Sequence, residues 1–389
     1  MTPTLLVLGR QPALGLAELE SLYGTQVRPV GDQAALVGAT VEFSRLGGSI
    51  KACKLLTVLD TIDWKKIETY LIQKTPEHAA QLPEGKLQLG ISVYGLDVTT
   101  QRILATGLSV KKAIKKVGKS VRLTPNQSLA LSSAQVHHNH LTRANGWELV
   151  VVRDGEQTIL AQTTDVQDIA SYTIRDRMRP KRDARVGMLP PKLAQIIINL
   201  ATGVPDRELT ILDPFCGTGV VLQEAWLMGY EAIGTDIDNR MIDYSTQNLQ
   251  WLLKKDDISP LQLAVGDATS YSWGAPGAFD AVACETYLGR PFTSVPAPEV
   301  LEKNITDCNL IIKKFLQNIA QQVPTGLRMC IAVPAWQVGK NRFKHLPLVD
   351  SLSEIGYNRI SFEHVGNEQL LYYREDQIVA RELLVITRK

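Results

Sequence analysis

Between Leu209 and Ala225 the chain reads LTILDPFCGTGVVLQEA, a stretch whose residue types and spacing are suited to holding a ligand. Thr210, Ile211 and Leu212 form a short apolar run fit for a buried strand, which Asp213 and Pro214 end. Cys216, Gly217, Thr218 and Gly219 then make a tight turn, and Val220, Val221, Leu222, Ala225 and Trp226 resume at helical spacing. Glycines there accept positive φ and let a ligand approach the main chain, while the helix N-terminus offers free N–H groups. The next apolar run, YEAIGTDI, ends at Asp236, about 20 residues beyond the glycines. At that spacing a strand-end carboxylate accepts hydrogen bonds from ribose hydroxyls in nucleotide-type folds, with Asp238 as the alternative. The turn is neither a dinucleotide fingerprint nor a phosphate loop, because GxGxxG is absent and no GK[ST] follows.

Two basic stretches suit a polyanion. Lys111, Lys112, Lys115, Lys116, Lys119 and Arg122 carry no acid among them and form one helix end and the turn after it. Such a patch attracts phosphates without reading sequence; a solvated helix C-terminus, which favours lysine through the macrodipole, is the other reading. Between Tyr172 and Lys192 lie Arg175, Arg177, Arg179, Lys181, Arg182, Arg185 and Lys192 against only Asp176 and Asp183, with Pro180, Pro190 and Pro191 stiffening the segment. This is either a connector that grips substrate backbone or a linker whose charges pair with nearby acids.

The 389 residues, 44% hydrophobic and 21% charged, suffice for two or three packed domains of an ordinary soluble protein, and a net charge of +2 leaves any polyanion site to local clustering. Cys53, Cys216, Cys284, Cys308 and Cys330 are scattered and make no CxxC pair, which argues against a disulfide framework and a cysteine zinc site and fits a cytoplasmic protein. His137, His138 and His140 have no carboxylate or cysteine at ligand spacing, so no metal is expected. No apolar run is long enough to span a membrane and the N-terminus lacks a signal pattern, so neither export nor a membrane partner is expected.

From the start of the chain, strand is expected at Leu5 to Leu8, helix at Leu14 to Tyr23, and strand with turn at Ala34 to Phe43. Helices follow at Ile67 to Ile72 and Gln101 to Val117 around a strand at Leu87 to Val93, then a strand pair, Trp147 to Val152 and Thr158 to Thr163, around Asp154-Gly155. Beyond a helix at Lys192 to Ala201, strands are expected at Thr210 to Leu212, Tyr230 to Ile237, Leu261 to Val265, Phe279 to Cys284 and Leu327 to Val333, the last ended by Pro334 and Trp336. A short helix at Leu352 to Gly356 precedes a hairpin of Gln369 to Tyr373 with Ile378 to Ile386 around Glu375-Asp376, where Arg374 and Arg381 either reach substrate phosphate or decorate the surface.

DPFCGTG resembles motif I of S-adenosylmethionine-dependent methyltransferases, in the variant common among RNA and DNA amino-methyltransferases. The lysine-rich helix, SSAQVHHNHL, GWELVVV and AQTTDVQDIASYTIRDRMRPKRDARVGMLPPKLAQIIINLA together resemble a THUMP domain joined to a methyltransferase. The resemblance is to tRNA guanosine-N2 methyltransferases acting at position 10, from about Ile50 onward. It implies an α+β THUMP-like RNA-binding region over residues 1–165, a basic linker over 166–190, and a Rossmann-like α/β methyltransferase domain over 191–389. The sheet of that domain should hold seven mostly parallel strands with an antiparallel C-terminal hairpin.

The same resemblance implies S-adenosyl-L-methionine as cofactor. Asp213 would face its ammonium, Cys216, Gly217 and Gly219 would line the turn, Asp236 and Ile237 would meet the ribose, and Asp267 and Ala268 would meet the adenine amino group. At the fourth strand end, where such enzymes show Asn or Asp, then Pro-Pro and an aromatic, this chain reads Glu285, Thr286, Tyr287, Leu288, Gly289, Arg290. Glu285, Thr286 and Tyr287 are the implied catalytic group. Lys111, Lys112, Lys115, Lys116, Arg175, Arg179 and Arg182 are the implied contacts to tRNA. The implied protein is a cytoplasmic monomer acting on tRNA, with a small activator subunit as a further partner known among relatives. A DNA amino-methyltransferase and a catalytically silent RNA-binding homologue are the competing readings.

Overall fold

Apolar residues alternate with period two or recur with period 3.6 through most of the chain, and the elements follow those periods. In the computed structural model the described residues are 3–183, 188–204, 208–254, 258, 261–274, 277–292, 294, 296–340, 342–375 and 377–389. Arg185 of the basic segment and Asp376 of the expected hairpin turn lie outside them. The chain divides into two compact units, one of Met1–Leu19, Tyr23–Ser44 and Gly48–Ala170, the other of Glu20–Leu22, Arg45–Gly47 and Ser171–Lys389.

The first unit contains β1 (Thr4–Leu8), α1 (Pro12–Tyr23), β2 (Val27–Val30), β3 (Ala34–Val37), β4 (Ser49–Leu59), α2 (Trp64–Ala79), β5 (Leu87–Tyr94), α3 (Thr100–Lys116), β6 (Val121–Leu123), α4 (Ser133–His138), β7 (Gly146–Asp154) and β8 (Gln157–Val166). Its eight strands run in the order β2-β3-β1-β4-β8-β7-β5-β6. Thr99 caps α3, which buries Ile103, Val110 and Ile114 against β5 and β7 and leaves Lys112, Lys115 and Lys116 exposed. The histidine-containing segment is the short helix α4, opened by a capping box between Ser132 and Gln135. Strand β4 is long but broken by charge in its sequence. Lys51 is wholly buried there, where its Nζ pairs with the buried Glu148 and donates to the Leu131 carbonyl at 2.8 Å, while Thr163 Oγ1 donates to Glu148 Oε2 at 2.6 Å.

The second unit follows α5 (Ile169–Arg177) with α6 (Pro191–Thr202), β9 (Thr210–Asp213), α7 (Val220–Leu227), β10 (Glu231–Asp236), α8 (Asn239–Leu253), β11 (Gln262–Val265), β12 (Ala281–Glu285) and α9 (Pro298–Ile319). It ends with β13 (Arg328–Gly339), β14 (Arg342–Lys344), β15 (Tyr357–Arg359), β16 (Leu371–Tyr372) and β17 (Val379–Arg388). Seven strands make the main sheet, β11-β10-β9-β12-β13-β17-β15, with β14 beside β13 and β16 beside β17. Strands β9 to β13 pair in parallel and β17 antiparallel to both its main-sheet neighbours, the α/β arrangement expected. Ile305, Ile312, Phe315 and Leu316 of α9 pack under β12 and β13 in one apolar cluster.

Three local expectations are corrected. Pro334 and Trp336 do not end β13, which pairs with β17 through Pro334↔Arg381 and Trp336↔Val379. The β12 ladder stops at Ala332, so Pro334 falls where β12 no longer requires a donor from it. Leu352 to Gly356 is a turn after a 3-10 helix at Pro347–Ser351, and Gly356 closes it at φ +92°. The first arm of the C-terminal hairpin shrinks to Leu371–Tyr372, and β15 takes the other end of β17.

Because the Lys51–Glu148 pair is desolvated on both sides, removing one partner strands the other. Lys51→Met should lower unfolding free energy by about 3–5 kcal/mol in urea titration, and Lys51→Met with Glu148→Leu should recover most of that loss. An unchanged midpoint in the single variant would show that Glu148 is not left stranded by the loss of Lys51.

Candidate active site

Parallel pairing brings the strand ends to one edge. Asp213 lies beside Gly234 of β10, and Asp236 beside Val265 of β11, so the residues that follow β9, β10 and β11 face a common space. Glu285 ends β12, the neighbour of β9 on the other side. Gly217 and Gly219 take φ of +51° and +81°. A Cβ on Gly219 would come within 2.9 Å of Ser245 Oγ, so this glycine serves the close packing of α7 and α8. At Gly217 a Cβ would meet nothing nearer than 3.9 Å, which leaves its backbone approachable.

A cavity of about 900 Å³ opens at this edge. Asp213, Cys216, Gly217, Asp236 and Ile237 line one part of it, Asp267 and Ala268 another, and Glu285, Thr286 and Tyr287 a third. Gly219 is the one residue of the expected cofactor set not on the wall, since it caps the start of α7.

The carboxylates differ in setting. Asp236 Oδ2 accepts from the Gly217 N–H at 3.0 Å and Oδ1 from the Asp238 N–H at 2.9 Å, which fixes the side chain at the mouth of the glycine turn. Asp238 is occupied as the cap of α8, accepting from the Arg240 N–H at 2.9 Å. Asp213 is 2% exposed and accepts from the Phe215 N–H at 3.1 Å. Burial pushes its carboxyl well above the usual range, and the charges of Asp236 and Glu285 push the same way. Burial also raises Asp236. Asp267 is exposed, with Oδ1 accepting from the Thr269 N–H at 2.9 Å and Oγ1 at 2.8 Å. Burial raises the Cys216 thiol, which stays protonated against Ser245. Three acceptor carboxylates and an open glycine backbone suit a ligand bearing hydroxyls, an amine and a positive centre.

At the end of β12, Glu285 Oε1 accepts from Arg381 Nε. Arg381 is 5% exposed, so it neither reaches phosphate nor decorates the hairpin, as the sequence had left open. The N–H and Oγ1 of Thr286 both donate to the Ala332 carbonyl, at 2.9 and 3.0 Å. Tyr287 stays partly exposed on the cavity wall, and burial raises its hydroxyl, with Cys308 and Asp307 adding to the effect and Arg290 opposing it. Asp307, Leu310 and Lys314 of α9 also line the cavity, and sequence reading passed over this helix altogether. Its signal was present: Pro298 and Glu299 open it, and Leu301, Ile305, Cys308, Ile312, Phe315 and Ile319 recur at helical spacing.

The basic residues separate into two groups. Lys112, Lys115 and Lys116 are exposed at the end of α3 and Lys111 is half-buried, all in the first unit. Arg175 and Arg179 are corrections. Arg175 donates to the buried Glu224 at 2.6 and 3.3 Å and lies 4.6 Å from the Tyr172 ring centroid, while Arg179 is only 2% exposed. Both are turned inward; Arg175 pairs with an acid as in the linker reading, whereas the guanidinium nitrogens of Arg179 have no hydrogen-bond partner among the described residues. Arg182 is exposed, with a hydrogen bond to the Arg177 carbonyl at 3.4 Å.

Residues 179–306 match the family UPF0020, described as RMKL-like, methyltransferase domain. A tRNA (guanine(10)-N2)-dimethyltransferase of Methanothermobacter thermautotrophicus is 33% identical over 148 residues, covering 38% of this chain and 39% of that one. A protein of the same description from Pyrococcus abyssi is 40% identical over 106 residues, 27% of this chain and 30% of its own. The aligned segments thus span less than two-fifths of these relatives' length. TrmN from Thermus thermophilus covers 100% of both chains with a TM-score of 0.54 at 15% identity. A possible methylase from Clostridium difficile 630 covers 98% of this chain and 97% of its own, with a TM-score of 0.51 at 12% identity. These two likenesses establish the fold.

Asp213 gives the site a measurable pH signature. With its folded carboxyl raised, the native state holds the proton more tightly than the unfolded chain, so stability falls as pH climbs from about 4 through the raised value. Asp213→Asn should flatten that decline and raise the melting temperature at neutral pH, read by thermal unfolding across a pH series. A decline of the same slope in the variant would place its origin elsewhere.

Proposed function

We propose that this chain, which carries a methyltransferase domain over residues 179–306, transfers methyl from S-adenosyl-L-methionine to the exocyclic N2 of a guanosine in tRNA. The observation that carries the reading is the convergence of Asp213, Asp236, Asp267 and Glu285 on one cavity beside the open backbone of Gly217, within the segment that matches a methyltransferase domain. Asp236 anchors the ribose hydroxyls, Asp267 accepts from the adenine amino group, and Asp213, buried without a hydrogen-bonding cation among the described residues, faces the methionine ammonium. Cys216, Gly217, Ile237 and Ala268 shape the wall between them. Bound S-adenosylmethionine supplies an electrophilic methyl on a sulfonium, so the protein's part is alignment. Glu285 and the backbone carbonyl of Thr286 accept from the amino hydrogens, turning the nitrogen lone pair toward the methyl, and Tyr287 stacks on a base taken out of its helix.

Residues 1–165 act in this reading as a THUMP-type RNA-binding region, with the α3 lysines on phosphate, and residues 191–389 as the catalytic domain of a cytoplasmic monomer. A silent RNA-binding homologue is the second reading, favoured by the ion pair that already engages Glu285. Methyl transfer from labelled cofactor to mixed tRNA, other RNA and DNA separates these. Transfer to tRNA alone supports the proposal, transfer to DNA replaces it, and tRNA binding without transfer selects the second reading.

Asp236→Ala should weaken binding of S-adenosylhomocysteine by about 1.5–3 kcal/mol in calorimetry, the range for hydrogen bonds to a charged group. Unchanged affinity in a folded variant would remove the ribose assignment. Replacing Lys111, Lys112, Lys115 and Lys116 with Gln should lower tRNA affinity and flatten its salt dependence while cofactor affinity holds, because fewer phosphate contacts release fewer counterions. An unchanged salt slope would return α3 to a solvated face.

A further inference from the structure

The residues at the end of β12 differ from the Asn/Asp-Pro-Pro pattern in two ways at once: the acid is one methylene longer and the rigid prolines are gone. Either change alone would loosen an acceptor that must be held steady. The structure contains a second set of restraints in their place. Thr286 spends both its N–H and its Oγ1 on the Ala332 carbonyl, tying the strand end to β13 where a proline would have stiffened it. Glu285 sits beside Ala332 in the β12–β13 register, and Arg381 of β17 sits beside Pro334 on the far side of β13. The arginine side chain therefore spans β13 to reach the carboxylate, and its Nε–H takes Oε1. Glu285 Oε2 has no hydrogen-bond partner among the described residues, and the side chain lines the cavity.

A buried ion pair is a poor source of stability, since desolvation of both groups offsets most of the attraction. What it supplies well is orientation. The guanidinium is planar, permanently charged and fixed in its donor directions, and here it is 5% exposed and held within the sheet by its own strand. A Glu side chain has one more rotatable bond than Asp, and a directional contact on one oxygen removes the freedom that the extra bond adds.

We propose that Arg381 is a positioning residue for methyl transfer: by holding Oε1 of Glu285 it presents Oε2 to the amino group of the target base, restoring with a longer acid and an arginine the fixed acceptor that a short acid and prolines provide elsewhere. This rests on the function proposed above. It assigns Arg381 no contact with substrate or cofactor; the arginine acts through Glu285 alone.

The test compares Arg381→Met, Arg381→Lys, Glu285→Gln and the double variant Glu285→Gln with Arg381→Met, each checked for folding by thermal unfolding and for S-adenosylhomocysteine affinity by calorimetry. The double variant leaves no charge of the pair unmatched, so it reports even where Arg381→Met alone unfolds. Glu285→Gln and Arg381→Met should each lower kcat for tRNA methylation about tenfold or more, with KM and cofactor affinity within about twofold. Arg381→Lys, which keeps the charge and loses the planar donor, should recover little of the rate. In the Glu285→Gln background, Arg381→Met should cost nothing further, because there is no longer a carboxylate to orient. Full activity in folded Arg381→Met, a penalty that adds to that of Glu285→Gln, or a parallel loss of cofactor affinity overturns the assignment and leaves Arg381 a packing residue. A wild-type protein that methylates no RNA fells the functional reading and this inference with it, whereas an active wild type with indifferent Arg381 variants fells this inference alone.

Discussion

Carboxylates crowd the carboxyl edge of the parallel strands, and the site depends on how their mutual repulsion is offset. Asp213 feels both Asp236 and Glu285 while lying almost wholly out of water, where each neighbouring charge acts with little screening. Small donors hold these carboxylates: the peptide N–H groups of Phe215, Gly217 and Asp238 stabilise Asp213 and Asp236, and the planar tip of Arg381 takes Glu285 from behind. The cavity stays open, lined by acceptors, and still favours an incoming positive charge.

That arrangement follows from backbone geometry that short sequence segments encode well. An apolar run of four residues, a terminal aspartate and a glycine turn are local features, and Thr210–Asp213 with Gly217 and Gly219 appear in the structure as the sequence implies. The acids at the ends of the next strands follow from the same repeat of strand and helix, so Asp236 and Asp267 could be located without knowing which strands are neighbours.

What local pattern cannot convey is pairing across distance. Nothing near Glu285 announces that its partner lies at position 381, and nothing near Arg175 announces the buried Glu224. Both arginines, read as surface charge, have their role decided by tertiary contacts. Strand β4 was missed for a related reason, because Lys51 interrupts its apolar pattern and is tolerated inside only through Glu148 on β7. Helix α9 differs from these cases, since its helical spacing is plain in the sequence itself.

The order of strands in the second unit sets the order in which the protein can become itself. β17 follows β15 in the chain yet lies between β13 and β15, so β15 has no sheet neighbour until β17 has been made and inserted. During synthesis, β9 to β12 and the turns that follow them emerge long before β17, so their pairings can form before the closing strand arrives. That strand also carries Arg381 to Glu285. A nascent chain could thus hold the strand ends and turns of the cavity well before Glu285 meets its arginine, and the last step of sheet assembly is also the step that fixes that side chain.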